Sequence, residues 1–168
     1  MPLGDWLQIA STLMILFGGG LALIQLRNAE RARNRDAALA MLRSFQTPDF
    51  TRGMELVFNL PEGLDKAALE ARVGARMGDF FSVLTTIESI GVLVYRREIE
   101  LELVDDFFSG PIVIAWRVSR GYLEAVRKET GRETIGEWVQ WLAERFAERE
   151  SATPAVPAYL AHRDWKPR

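Results

Sequence analysis

Residues 65–94 read DKAALEARVGARMGDFFSVLTTIESIGVLV. Leu69, Val73, Met77, Phe80, Leu84, Ile87, Gly91 and Val94 step through this stretch by threes and fours. That spacing marks one face of an α-helix, because side chains three and four apart stack on the same side. At about 3.6 residues per turn it predicts a core-facing stripe about seven turns long. Asp65 has the right side chain to cap its start. Gly74, Gly78 and Gly91 either weaken the helix locally or let another helix approach closely. A stripe this long needs further apolar helix faces to cover it, so the fold class expected is all-α.

The flanking sequence supplies them. Upstream, Thr47-Pro48 pairs an N-cap threonine with proline at the first helical position, and Phe50, Met54, Val57 and Phe58 follow at helical spacing. Leu60-Pro61-Glu62-Gly63 carries turn chemistry. Downstream, Tyr95 to Glu98 reads as a charged loop. Ile99, Leu101 and Leu103 alternate with Glu98, Glu100 and Glu102, which fits a strand over 98–104; a helix through Asp105 and Phe108 is preferred because no partner strand is evident. Ser109-Gly110-Pro111 predicts a stop there and the start of a new helix carrying Ile112, Trp116, Ser119, Leu123 and Val126. Arg127 and Lys128 suit its C-terminal dipole, with Gly131 as the cap. Thr130/Glu133 and Thr134/Glu137 both match a capping box, and Ile135, Trp138, Val139, Leu142 and Phe146 build the last amphipathic helix. Trp138 and Trp141, three apart, read as core and core edge. After Glu150 the composition becomes that of a tail.

The N-terminal part is of another kind. Trp6 to Leu26 contains no charged residue, and about 20 apolar residues suffice to cross a bilayer as a helix. A core helix would show a polar face, which Leu13 to Leu26 lacks. A cleaved signal would need a basic start and a small-residue cleavage site; Asp5 precedes the run and Arg27 follows it. Arg27, Arg31, Arg33 and Arg35 crowd one end, and such clusters stay cytoplasmic. They also form a lipid-facing basic cluster suited to anionic head groups. Gly18 and Ala22 make a small-xxx-small pair that would admit a second helix. The organisation expected is a transmembrane anchor at 1–26, a basic amphipathic juxtamembrane helix at 27–46 with Ala37, Leu39, Met41 and Phe45 on its apolar face, a helical domain at 47–149 and a tail at 150–168. The N-terminus would lie outside and the domain in the cytoplasm, at the cell inner membrane.

Composition narrows the chemistry. The 168 residues hold 21 basic and 23 acidic side chains, one histidine and no cysteine. A general nucleic-acid binder would be more basic, so no nucleic-acid partner is expected. Disulfides, thiolate metal sites and a cysteine nucleophile are excluded. His162 near the C-terminus leaves little for a Ser-His-Asp triad or a two-histidine metal site. No phosphate loop, nucleophile elbow or His-Glu-x-x-His helix is present, so no catalytic residue, cofactor or metal is assigned. Asp105 and Asp106, with Glu98, Glu100 and Glu102, form the densest acidic run, better read as a solvated face than as a calcium loop.

Two charges stand against the pattern. Glu88 borders the long stripe beside Ile87, and Arg120 lies one turn after Trp116. A half-buried charge needs a partner. The expectation is that Glu88 and Arg120 pair, or that each caps a neighbouring backbone group; the functional version is a dyad binding a ligand in an interhelical cleft.

From Phe80-Phe81 through Ile87-Glu88-Ser89-Ile90-Gly91-Val92-Leu93-Val94, then Phe107-Phe108 and Trp116, the chain resembles an uncharacterised bacterial family of short proteins with one N-terminal membrane helix and a helical cytoplasmic domain. The resemblance implies that architecture and no activity. The function expected is a non-enzymatic, membrane-tethered interaction or accessory module with a protein partner or a second copy of itself. The alternative is a membrane-anchored sensor or effector that binds a small ligand.

Overall fold

Local chemistry starts the helices after Thr47 and Asp65 where the sequence places them. In the computed structural model, which describes residues 14, 17–29, 36, 39–41, 43, 45–152 and 156–167, α1 spans Pro48–Phe58 and the Thr47 hydroxyl accepts the Phe50 N–H at 3.2 Å. The next helix, α2, spans Lys66–Val73, and the Asp65 carboxylate accepts the Ala68 N–H at 2.8 Å. Each cap satisfies a donor that the helix itself cannot.

The single seven-turn helix expected over 65–94 is broken. A 3-10 turn, Gly74–Arg76, separates α2 from α3, Met77–Tyr95. Gly74 takes φ 53°, ψ −127°, a conformation open mainly to glycine because a Cβ would clash. The break keeps the phase of the apolar stripe: Leu69, Val73, Phe80, Leu84, Ile87 and Val94 are all buried. Helix α3 ends in a Schellman arrangement, with Arg97 N–H to Val94 O at 2.9 Å and Glu98 N–H to Leu93 O at 2.9 Å. The left-handed position is filled by Arg97, φ 59°, where glycine is usual.

Ser109-Gly110-Pro111 does not stop a helix. Instead α4 runs unbroken over Leu101–Thr130 with Pro111 inside it. An interior proline costs about 3 kcal/mol through a lost N–H and a clash with the carbonyl four residues back. Here that carbonyl belongs to Phe107, an exposed residue, so water can replace the missing donor. Val104, Ile112, Val113, Ala115, Val118 and Leu123 meanwhile bury one continuous face across the proline. Burial of each of the valine, isoleucine and leucine side chains is worth about 1.5–3 kcal/mol, so packing outweighs the local signal. The strand considered over 98–104 is absent: 96–100 is loop, with Ile99 buried in it, and the described residues contain no strand.

Gly131, φ 68°, caps α4 as expected. Helix α5 then spans Glu137–Ala152, and a single turn, α6, Ala158–Ala161, interrupts the tail. Helix α3 packs against α1 on one side and α5 on the other, α5 packs on α4, and α2 lies on α4. The α3–α5 crossing is close at Gly91, where a Cβ would sit 2.6 Å from the Trp138 Cβ. The fully buried centre holds Leu69, Phe80, Ile87, Ile112 and Leu142.

The chain divides into two units, Met1–Ala40 and Met41–Arg168. In the first, residues 17–29 are helical and exposed throughout, including Phe17, Leu23, Ile24 and Leu26. The remainder of the expected span, residues 1–13 and 15–16, lies outside the described residues, as do Arg31, Arg33 and Arg35. Among the described residues, one helical run, Lys66–Tyr95, is long and apolar enough to cross a membrane. Its buried stripe and its neighbours α1, α4 and α5 are those of a core helix.

Candidate functional site

Three half-buried polar side chains, Glu88, Arg127 and Gln140, gather around the start of α5. The N-cap position of that helix is Gly136, which has no side-chain acceptor. The acceptor comes from α3: one Glu88 oxygen takes the Trp138 N–H and the Val139 N–H, each at 2.9 Å. These are the second and third helical residues, the donors an N-cap side chain normally serves. Glu88 is therefore an N-cap delivered across 50 residues of sequence. The carboxylate also faces the positive end of the helix dipole. Two effects oppose each other on its charge. Burial pushes the Glu88 carboxyl above the ordinary carboxylate value and Glu137 pushes the same way; the two backbone bonds and the nearby Arg127 pull down, and burial prevails.

Arg127 completes the node from α4. Its Nε donates to Ile135 O at 2.7 Å and one terminal nitrogen to Gln140 Oε1 at 2.7 Å. Its guanidinium lies 5.9 Å from the Trp116 ring centroid, within cation–π range. Among the described residues the other terminal nitrogen is buried without a partner. So the α4–α5 turn is held from one side by Arg127 and the α5 start from another by Glu88.

The expected dyad is not assembled. Glu88 is half-buried and bonds backbone, the second of the two possibilities the sequence left open. Arg120, expected to be half-buried, is exposed and pairs with Glu124 on its own helix at 2.7 Å. The cation near Glu88 is Arg127, seven residues after Arg120 and hence on the same helix face two turns later. Spacing alone does not separate the two. The capping boxes read at Thr130 and Thr134 hide the need: the helix begins at Glu137, past both threonines, and Gly136 before it has no side chain.

An aromatic cluster borders the node. Tyr95, Trp138 and Trp141 meet with ring centroids 5.0 to 6.5 Å apart; both tryptophans are half-buried and Tyr95 is exposed. Elsewhere an open groove of about 950 Å³ runs beside α4 and α5, lined by Asp105, Val113, Ile114, Arg117, Phe146 and Arg149 among others. Within it Arg149 reaches Glu102 at 3.0 Å and Asp105 at 3.1 Å, so part of the acidic run is ion-paired. Among the described residues no three metal-ligating side chains converge. Arg27, of the basic cluster, is helical and exposed.

One sequence family, described as a domain of unknown function, DUF4760, matches residues 12–146. The chain belongs to the DUF4760 family. No curated protein and no solved structure matches it. The DUF4760 match takes in Glu88, Arg127, Gly136 and Gln140, so the whole node lies inside the matched region, whereas the end of α5 and the tail, from residue 147 on, lie beyond it.

Proposed function

We propose that this DUF4760 protein is a membrane-tethered helical interaction module without enzymatic chemistry, acting through protein partners at the cytoplasmic face of a bacterial inner membrane. The observation that carries the reading is residues 17–29. Every one of them is helical and exposed, and Phe17 (71%), Leu23 (63%), Ile24 (56%) and Leu26 (60%) are uncovered. Each such side chain left in water forgoes about 1.5–3 kcal/mol. The cost vanishes if hydrocarbon surrounds the helix. The uncharged run from Trp6 is long enough for a span, and the arginines after Leu26 favour a cytoplasmic domain.

The interaction reading is supported by what the polar node does. Glu88 and Arg127 spend their bonds on the start of α5 and the turn before it, which suits rigid presentation of a surface. A sensor of small ligands would need convergent polar groups lining an enclosed pocket; the groove beside Arg149 is open, and both its arginines are ion-paired, Arg149 with Glu102 and Asp105 and Arg117 with Glu62. Fusing a reporter active only outside the cytoplasm after Arg168 tests the orientation, with silence expected. Cross-linking in intact cells tests the interaction: a discrete adduct lost on removal of residues 41–168 is expected, and a chain that stays uncross-linked while a small metabolite co-purifies would favour the sensor.

A further inference from the structure

We infer that the C-terminal segment, residues 156–167, is a second membrane contact: a short aromatic and basic segment that lies on an anionic lipid surface. This rests on the tethered reading above, since the tether is what keeps the segment beside a bilayer.

The observations are of three kinds. First, the segment leaves its large apolar groups in the open: Val156 is 62% exposed, Tyr159 76%, Leu160 51% and Trp165 71%. Isolated exposed apolar residues are ordinary, but four within ten positions are a patch. Second, two of the four are Tyr and Trp, side chains with an apolar body and a polar tip that settle at the boundary between hydrocarbon and water. Third, the charge is complementary to anionic lipid. Arg163 and Lys166, with Arg168 just beyond, face only Asp164 in opposition, whereas residues 41–152 carry more carboxylates than cations. An anionic bilayer therefore attracts the segment and repels the body of the domain.

The backbone fits this use. Pro157 and Pro167 restrict the segment, and among its described residues the only helix is the single turn Ala158–Ala161. The segment is thus too short for an in-plane amphipathic helix; it works by two aromatic anchors, Tyr159 and Trp165, with Arg163 between them and Lys166 directly after the second. Attraction of about fivefold per cation is expected near an anionic surface, and it fades as salt shortens the screening length from about 10 Å at 0.1 M to about 3 Å at 1 M.

The test uses the full chain, which has no cysteine, so one introduced cysteine labels cleanly. Ala161→Cys carrying a nitroxide is reconstituted in vesicles of neutral lipid and in vesicles with about a third anionic lipid. Flotation with the vesicles reads the tether. Oxygen accessibility at the label against a water-soluble nickel complex reads the tail. The expected result is a lipid-facing signal in anionic vesicles, lost in neutral vesicles and in 1 M salt. Arg163→Glu with Lys166→Glu should weaken it by well over tenfold, and Tyr159→Ser with Trp165→Ser should abolish it while flotation persists. A water-exposed label in floating anionic vesicles overturns the tail proposal and leaves the tether standing. A label shielded equally in neutral and anionic vesicles overturns it too, because the tail would then be packed on protein. A chain that fails to float overturns the tethered reading itself.

Discussion

Replacing Glu88 by alanine removes one oxygen that two backbone donors share, Trp138 N–H and Val139 N–H, each 2.9 Å away. Loss of an N-cap acceptor costs about 0.5–2 kcal/mol. A second donor stranded in a half-buried site adds about 1–3 kcal/mol, less whatever water recovers. Gly136 offers no substitute, so Glu88→Ala should destabilise the fold by about 2–4 kcal/mol. For a domain of this size that is roughly 6–16 °C in Tm. Glu88→Gln is the informative companion. Its amide carbonyl still accepts both bonds and the buried charge is gone; the lost dipole interaction, about 0.3–1 kcal/mol, is offset by relief of desolvation. It should stay within about 1 kcal/mol of the parent. The assay is denaturant unfolding of the full chain in mild detergent, followed by near-ultraviolet circular dichroism, since Tyr95, Trp138 and Trp141 flank the cap. An alanine variant within 0.5 kcal/mol of the parent, or a glutamine variant as damaged as the alanine one, would refute the reasoning.

The same carboxyl makes a pH prediction. Its folded pKa is raised by burial above the ordinary 4.5, so the folded state holds the proton more tightly and the parent should lose stability relative to Glu88→Gln as pH rises from about 4.5 through the folded value, then level off; unfolding both proteins across pH 4.5 to 8 checks it, and a parent that gains on the variant over that range contradicts it. Gly91→Ala puts a Cβ 2.6 Å from the Trp138 Cβ and should cost about 1–3 kcal/mol through forced separation of α3 and α5, with the tryptophan fluorescence maximum shifting to the red. Arg97→Gly relieves a left-handed arginine at φ 59° and should raise stability by about 0.5–1 kcal/mol in thermal unfolding; a loss would mean that the Arg97 side chain holds something its backbone does not reveal.

Particular residues show which parts of this fold can be read from sequence. Thr47, Asp65 and Gly131 act on backbone groups within four residues, so their cap roles are legible locally, and the apolar stripe from Leu69 to Val94 is legible because burial has a period. Gly74 and Pro111 mislead in opposite directions for the same reason. Gly74 falls inside a periodic stripe that continues in phase past the break, which hides the 3-10 turn. Pro111 carries a strong local stop signal, yet the apolar face from Val104 to Leu123 continues through it and wins. The node at α5 was half legible. A charge beside Ile87 announces a need for a partner, but the partner is the start of a helix 50 residues on, and nothing in local spacing points there. In sequence Arg127 reads as a dipole residue at the end of α4, because Ile135 O and Gln140 come within its reach only once the turn at Gly136 has folded back.

The central claim, that residues 6–26 anchor the chain in a bilayer, is tested most directly by extraction. Membranes from cells expressing the full chain and the chain lacking residues 1–26 are washed in 1 M salt and then in alkaline carbonate, and pellet and supernatant are compared. The account predicts that the full chain stays in the pellet through both washes and that the truncated chain is already in the supernatant after salt, folded by circular dichroism. Release of the full chain by carbonate would contradict it, and so would a folded truncated chain that remains in the salt-washed pellet.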